Sequence, residues 1–255
     1  MRVLQPVFER AADRDPRLDA TKPAGKRDVW VCFAIVPAFY TAFGVIFVLL
    51  ARVMPPPRPD TDPEQIVQFF DTHTVTIRIG FAILLLIVGG AGISNGIVVY
   101  HMKRMSVGSV GAYIYMGGMA VGALPGCLLV AFCFLVAVYR DDRDPEILAL
   151  LYDLGLLSYV GSLGCFVTAY FGFALAIFYD RNGIFPKWLG YVTVWQIVTE
   201  ILATPVFVSL AGPFAWNGSI SFWMGTVVFG FWLMCVITFL RKAGQLQPAG
   251  EPPLP

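Results

Sequence analysis

Charge is scarce in this chain. Only 14% of its 255 residues are Asp, Glu, Lys or Arg, against about 25% in a typical soluble domain. The two signs nearly cancel, leaving a net charge of +1. No basic stripe exists outside the mixed-charge first 28 residues, which argues against nucleic acid as a partner. Histidine is rarer still, with His73 and His101 alone. Neither an H-E-x-x-H motif nor a multi-histidine cluster occurs, so no catalytic metal site is expected. The two histidines fall at opposite ends of one predicted helix, too far apart to hold a haem between them. The five cysteines (Cys32, Cys127, Cys133, Cys165 and Cys235) lie in apolar runs without C-x-x-C spacing, and packing is their expected role. There is no P-loop and no dinucleotide fingerprint. "GLLSYVG" at 155–161 and "NGSIS" at 217–221 have no histidine at a matching depth to activate a serine. No catalytic residue and no cofactor is therefore expected. Asn217-Gly218-Ser219 matches a glycosylation sequon, a triplet common by chance.

What the chain has in excess is apolar surface. Hydrophobic residues make up 57% and aromatics 15%, and the mean hydropathy is +0.70. That surplus needs lipid as its solvent. About 20 mostly apolar residues cross the hydrocarbon as a helix, and six such runs are present, roughly 29–53, 76–100, 112–138, 156–179, 187–210 and 219–240. Backbone polar groups in lipid must be bonded within the segment, which makes these runs helices. A barrel would alternate apolar and polar residues, and these runs do not. The fold class is all-α, a polytopic membrane protein of six transmembrane helices arranged as three hairpins. Residues 1–28 carry no apolar stretch of signal-peptide type. They read as a polar cytosolic tail, with a short helix at "LQPVFERAADR". Residues 29–240 form the transmembrane domain, and 241–255 a flexible Pro-rich cytosolic tail.

Lys and Arg decide orientation. Seven lie in the first 28 residues; Lys103, Arg104, Arg181, Lys187, Arg241 and Lys242 bring one face to 13 of 18. Nine of the 17 acids lie on the opposite face, with Arg52, Arg58, Arg78, Arg140 and Arg143. Both termini are thus predicted cytoplasmic. Trp30 and Trp188 fall at the inner boundary and Trp216 at the outer one, depths that aromatic residues favour.

One acidic phrase occurs twice on the outer face, "PDTDPEQIVQFFD" at 59–71 and "DDRDPEILALLYD" at 141–153. Asp before Pro is a helix-start signal, so Asp62 and Asp144 are expected N-caps. Glu64 and Glu146 then complement the positive helix end. Pro63 to Tyr100 is 38 residues, about 57 Å as a helix and too long for one crossing. A short outer amphipathic helix, a bend near Asp71 or Asp153, and then the span are predicted before the second and fourth crossings. The 82-residue offset pairs Gly44 with Gly126 and Gly90 with Gly172, the sign of a parallel repeat of 29–100 in 111–182. The functional alternative is one acidic outer patch of Asp60, Asp62, Glu64, Asp71, Asp141, Asp142, Asp144, Glu146 and Asp153 binding a hard cation. No glycine turn of EF-hand type supports that alternative, and no metal is assigned.

Glu200 is the one acid placed inside a predicted span. Gln196 and Thr204 lie four residues either side, and Thr193 extends the same helix face. An acid at this depth is costly and usually faces the bundle interior; low dielectric favours its neutral form. It could serve proton-coupled transport, or simply bond a neighbouring helix. Arg78 is expected to snorkel or to pair with Asp71, and Asn95 to link helices. Pro37, Pro125 and Pro205 place one proline in each odd-numbered span, where kinks are expected.

"FYDRNGIFPKWLGY" at 178–191 ends the fourth span, turns at Asn182-Gly183 and starts the fifth after Pro186. This turn resembles that of a bacterial six-helix integral membrane family catalogued as a domain of unknown function, whose members carry a "Y-x-x-G-x-x-P-R-W-L-G"-like phrase there. Lys187 stands in place of the more usual arginine. "VVYHMKRMS" and "FWMGTVVFGFWLMCV" are also similar. The resemblance implies a multi-pass protein of a bacterial inner membrane and names no reaction. The sequence points first to a non-enzymatic accessory or structural subunit of a membrane complex. Its partners would be the bilayer and either a second copy of the chain or another membrane protein. The alternatives are a small proton-coupled transporter using Glu200 and, last, a lipid-modifying enzyme.

Overall fold

A computed structural model describes residues 27–247. Most of the polar N-terminal tail, with its expected short helix, and the Pro-rich end from 248 onward lie outside the described residues. Six helices are long and apolar enough to cross a membrane: α1 Arg27–Leu50, α2 Pro63–Lys103, α3 Val110–Ala137, α4 Pro145–Tyr179, α5 Lys187–Val208 and α6 Ser219–Leu246. Among the described residues no strand forms. The α6 helix runs past the expected boundary at 240, so residues 241–246 are helical rather than part of a flexible tail.

The helix starts follow the sequence signals. Pro63 and Pro145 each occupy a first helical position after an aspartate. The two caps are not equivalent. Asp144 Oδ1 accepts from the Glu146 N–H at 2.8 Å, whereas Asp62 makes no side-chain cap bond. Asp144→Ala is therefore expected to lower stability by about 1 kcal/mol, the usual worth of a filled N-cap. Asp62→Ala should change it by a few tenths at most, and thermal unfolding of the two variants in detergent separates these outcomes.

The expected bends near Asp71 and Asp153 do not occur, and no separate outer helices precede the spans. Helix runs unbroken from Pro63 to Ile87 and from Pro145 to Gly161. Both aspartates are exposed, and a solvated side chain gives a helix no reason to break. Phe70, Phe134 and Tyr152 pack together across the two helix starts and keep them side by side. The interruptions come lower down. In α2 the break is one residue, Val88, just before Gly89-Gly90. In α4 it is a 3₁₀ turn at Ser162–Phe166. Of the three prolines, Pro37 sits inside continuous α-helix. Pro125 falls in a π turn, Leu124–Leu129, and Pro205 in a 3₁₀ turn, Thr204–Val208.

The buried side chains form two apolar clusters. One lies at the end carrying the Pro63 and Pro145 helix starts, here the acidic end, and centres on Phe81, Phe134 and Tyr152. The other lies at the end carrying the 104–109 and 180–186 turns, the basic end, and centres on Tyr170, Phe173 and Trp232. Helices α3 and α4 come closest. A Cβ at Gly118 would lie 2.6 Å from the Ala169 nitrogen, and one at Gly111 3.1 Å from the Gly172 oxygen. Such small-residue contacts let helix backbones touch where lipid supplies no hydrophobic drive.

Candidate functional site

The acidic residues at the helix starts do not converge. Asp60 is held by Arg58, with Nη2 to Oδ2 at 2.6 Å, and this hydrogen bond draws the Asp60 carboxyl below its usual range. Asp141 meets Arg78 at 3.3 Å, and Asp144 is occupied as an N-cap. Asp62, Glu64, Asp71, Asp142, Glu146 and Asp153 are all exposed. Among the described residues, no group of three or more His, Cys, Asp or Glu could hold a metal ion. Helix geometry turns successive acids to different sides, so the single patch does not form. Arg78 binds the Val138 carbonyl and Asp141 rather than Asp71, closing the end of α3.

The polar stripe on α5 is different. Thr193, Gln196 and Glu200 are buried, with Glu200 only 2% exposed. Thr204 does not join them and is exposed, because the backbone tightens to 3₁₀ geometry there and turns the residue off the face. Thr199 takes its place, buried and donating to the Gln196 carbonyl at 2.8 Å. Gln196 Nε2 donates to Glu200 Oε1 at 2.6 Å. Thr193 donates to the Leu189 carbonyl at 2.8 Å and accepts from Trp232 Nε1 of α6 at 3.0 Å. Tyr170 of α4 is 2% exposed and lies within electrostatic reach of the carboxyl. Helices α4 and α6 thus flank the polar face of α5.

Two atoms in this group are left over. Glu200 Oε2 and Gln196 Oε1 are both buried without a hydrogen-bond partner. Both accept, and two buried acceptors with nothing donating to them are costly. A proton on the carboxyl turns one of them into a donor. The arrangement can therefore hold and release a proton, or accept from a donor that enters the core. Elsewhere, Asn95 Oδ1 accepts from Tyr115 Oη at 3.4 Å, the interhelical link expected of it.

A second polar group lies in the turns of the basic end, and the sequence reading passed over its centre. Asp180 is 3% exposed. Its Oδ1 accepts from the Ser106 N–H at 2.8 Å, the Ser106 hydroxyl at 3.2 Å and the Asn182 N–H at 3.0 Å. Its Oδ2 accepts from the Ile184 N–H at 3.0 Å. Lys187 donates to the Ile177 and Phe178 carbonyls at 2.6 and 2.8 Å, and to that of Asp180. It closes the end of α4, as cations at helix C-termini do. The signal for Asp180 was present: an aspartate two residues before Asn-Gly commonly organises a turn. Tyr170 and Trp232 carried no comparable signal.

No protein-family model, no curated protein and no solved structure matches the chain in comparison.

Proposed function

We propose that this chain is a multi-pass membrane protein that binds and releases a proton at Glu200, as a small proton-coupled transporter. In this reading both termini are cytoplasmic, the basic end faces inward, and the membrane is a bacterial inner membrane, in line with the six-helix family that the 178–191 turn resembles. The observation that carries it is Glu200 itself, 2% exposed with Oε2 unpartnered in a helical bundle core. Ionisable residues at such positions typically lie on ion or proton pathways. By sequence alone an accessory subunit comes first; the unpartnered pair moves the balance towards transport. Gln196 fits the role by holding one carboxyl oxygen and leaving the other for the proton. Tyr170 adds a hydroxyl near by.

The test is carboxyl infrared difference spectroscopy on the protein in bilayers, compared with Glu200→Gln. A carboxyl band that titrates between about pH 5 and 9 and is lost in the variant is the expected result, since buried carboxyls are documented to titrate that high. A band that stays protonated throughout would sink the proton reading. The pair would then be a sealed structural bond, and the subunit reading would lead.

A further inference from the structure

The polar groups of the bundle core are not spread evenly about Glu200. On its acidic-end side the core is closed. The first apolar cluster holds no amide, imidazole or charged side chain. Trp216 and Tyr152 belong to it, but their polar tips point to the outer 51–62 loop. Trp216 Nε1 donates to the Pro57 carbonyl at 2.7 Å, and the Tyr152 hydroxyl meets that of Thr61. The two rings touch, with centroids 6.2 Å apart, and Val206 and Phe222 are buried in the same cluster. The Tyr159 ring lies against Phe47 and Phe222, and its electrostatic neighbour is Cys127 rather than Glu200. Among the described residues, the buried polar side chains on this side are Ser162 and Ser221. Each spends its hydroxyl on a backbone carbonyl, of Tyr159 and of Phe214 respectively.

On the basic-end side the polar tips face inward. Tyr170 of α4 and Tyr115 of α3 are each 2% exposed. Tyr170 lies within electrostatic reach of Glu200, Tyr115 and Tyr40 of α1. Tyr115 donates to Asn95 Oδ1 of α2, and Asn95 is only half-buried. Asn95 stands eight residues before the helix end at Lys103, about 12 Å along the axis. Ring contacts fix this row in place. Tyr170 rests on Trp232 at 5.0 Å, Trp232 on Phe173 at 6.1 Å and Phe173 on Tyr115 at 5.6 Å. Trp232 is in turn bonded to Thr193, on the same face of α5 as Glu200. Tyr40 stands to the side with its ring on Phe229.

We infer that Glu200 exchanges its proton with the basic face alone, along Tyr170 and Tyr115 to Asn95, while the packed acidic end is closed to it. The inference rests on the proton reading of Glu200 and adds a direction and a route. A tyrosine hydroxyl both donates and accepts. The proton leaving Glu200 is taken up by the Tyr170 oxygen as that hydroxyl passes its own proton on to Tyr115. Tyr115 likewise hands one on to water at Asn95, so no tyrosinate forms and one proton leaves for each that enters. Water links hydroxyls that do not touch directly. Asn95 is a positioning residue, since its carbonyl aims the Tyr115 hydroxyl at the half-exposed end of the row.

Time-resolved infrared spectroscopy of the Glu200 carboxyl band, on the full chain in sealed liposomes, tests it. Orientation is read by labelling Gly108→Cys, an exposed position in the basic-end turn, with an impermeant maleimide. A protonophore first brings both faces to one pH. A band that titrates then upholds the proton reading, and a silent band sinks that reading and the route with it. Without the protonophore, a pH jump at the basic face should shift the band, and the same jump at the acidic face should leave it unchanged over the same time. Tyr170→Phe and Tyr115→Phe keep the packed rings and should slow the basic-face response at least several-fold, while the band still titrates with the protonophore present. Tyr152→Phe, in the acidic-end cluster, should respond like wild type. A response to the acidic-face jump overturns the inference, as do Tyr170→Phe and Tyr115→Phe variants with wild-type rates. In both cases a band that titrates with the protonophore leaves the proton reading standing.

Discussion

Leucine in place of Gly118 lowers the thermal unfolding midpoint by about 10 °C or prevents assembly, while alanine at the neighbouring Gly117 does neither. The α3 and α4 backbones set this result. A Cβ at Gly118 would stand 2.6 Å from the Ala169 nitrogen and 2.9 Å from its Cα. Those are backbone atoms, so no rotamer change relieves the clash and the helices must part. Overpacking typically costs about 1–3 kcal/mol and sometimes more. Here separation also undoes the contacts at Gly111–Gly172 and Gly122–Phe166 on the same helix pair. At roughly 2–4 °C per kcal/mol for a chain of this size, a shift near 10 °C follows from about 3 kcal/mol. Gly117 has nothing within 4 Å of its would-be Cβ. Alanine there gains about 0.5–1 kcal/mol from helix propensity. Unfolding of the two variants in detergent gives opposite signs, and a Gly118→Leu protein as stable as wild type would refute the close approach.

The number and placement of the six apolar spans were legible because they follow from length and apolarity alone, whereas the unbroken runs from Pro63 and Pro145 and the extra turn of α6 were not. The Asp-Pro starts were legible because proline and aspartate act locally. The inward faces were not. Leu84 is fully buried and Leu86 is 83% exposed, yet the two are identical in type and two residues apart. Lipid and core are equally apolar solvents, so hydropathy does not separate the face that packs from the face that meets lipid. Polar residues are the exception, and Thr193, Gln196 and Glu200 were placed together for that reason. Thr204 was misplaced because constant helical spacing was assumed through Pro205, where the turn tightens. The close contacts between helices were illegible for a related reason. Serine and glycine in an apolar helix look like glue or helix-packing residues one at a time. Only the packed bundle aligns Gly126 with Ser162 and Gly161 with Phe207.

Asp180→Asn is expected to destabilise the protein by about 2–3 kcal/mol at neutral pH, the scale of lost hydrogen bonds to a buried charge, and by much less at low pH. Burial pushes the Asp180 carboxyl up; donation from Ser106, Asn182 and Ile184 outweighs it and leaves the carboxyl below its usual range. The folded state therefore binds the proton less readily than the unfolded chain. Stability from this group is fully present above the unfolded value near 3.8. It is lost as pH falls through the lower folded value. Asparagine keeps one acceptor but turns an amide N–H₂ towards a site where the carboxylate met donors on both oxygens. Unfolding midpoints of wild type and variant should thus differ clearly at pH 7, begin to converge only below about pH 4, the ordinary carboxylate range, and meet below the lower folded value. A constant gap at all pH values would mean that Asp180 acts by shape rather than by charge. Convergence would identify the 104–109 and 180–186 turns as one electrostatically closed unit, with the carboxylate holding the first turn to the second and Lys187 capping α4 beside it.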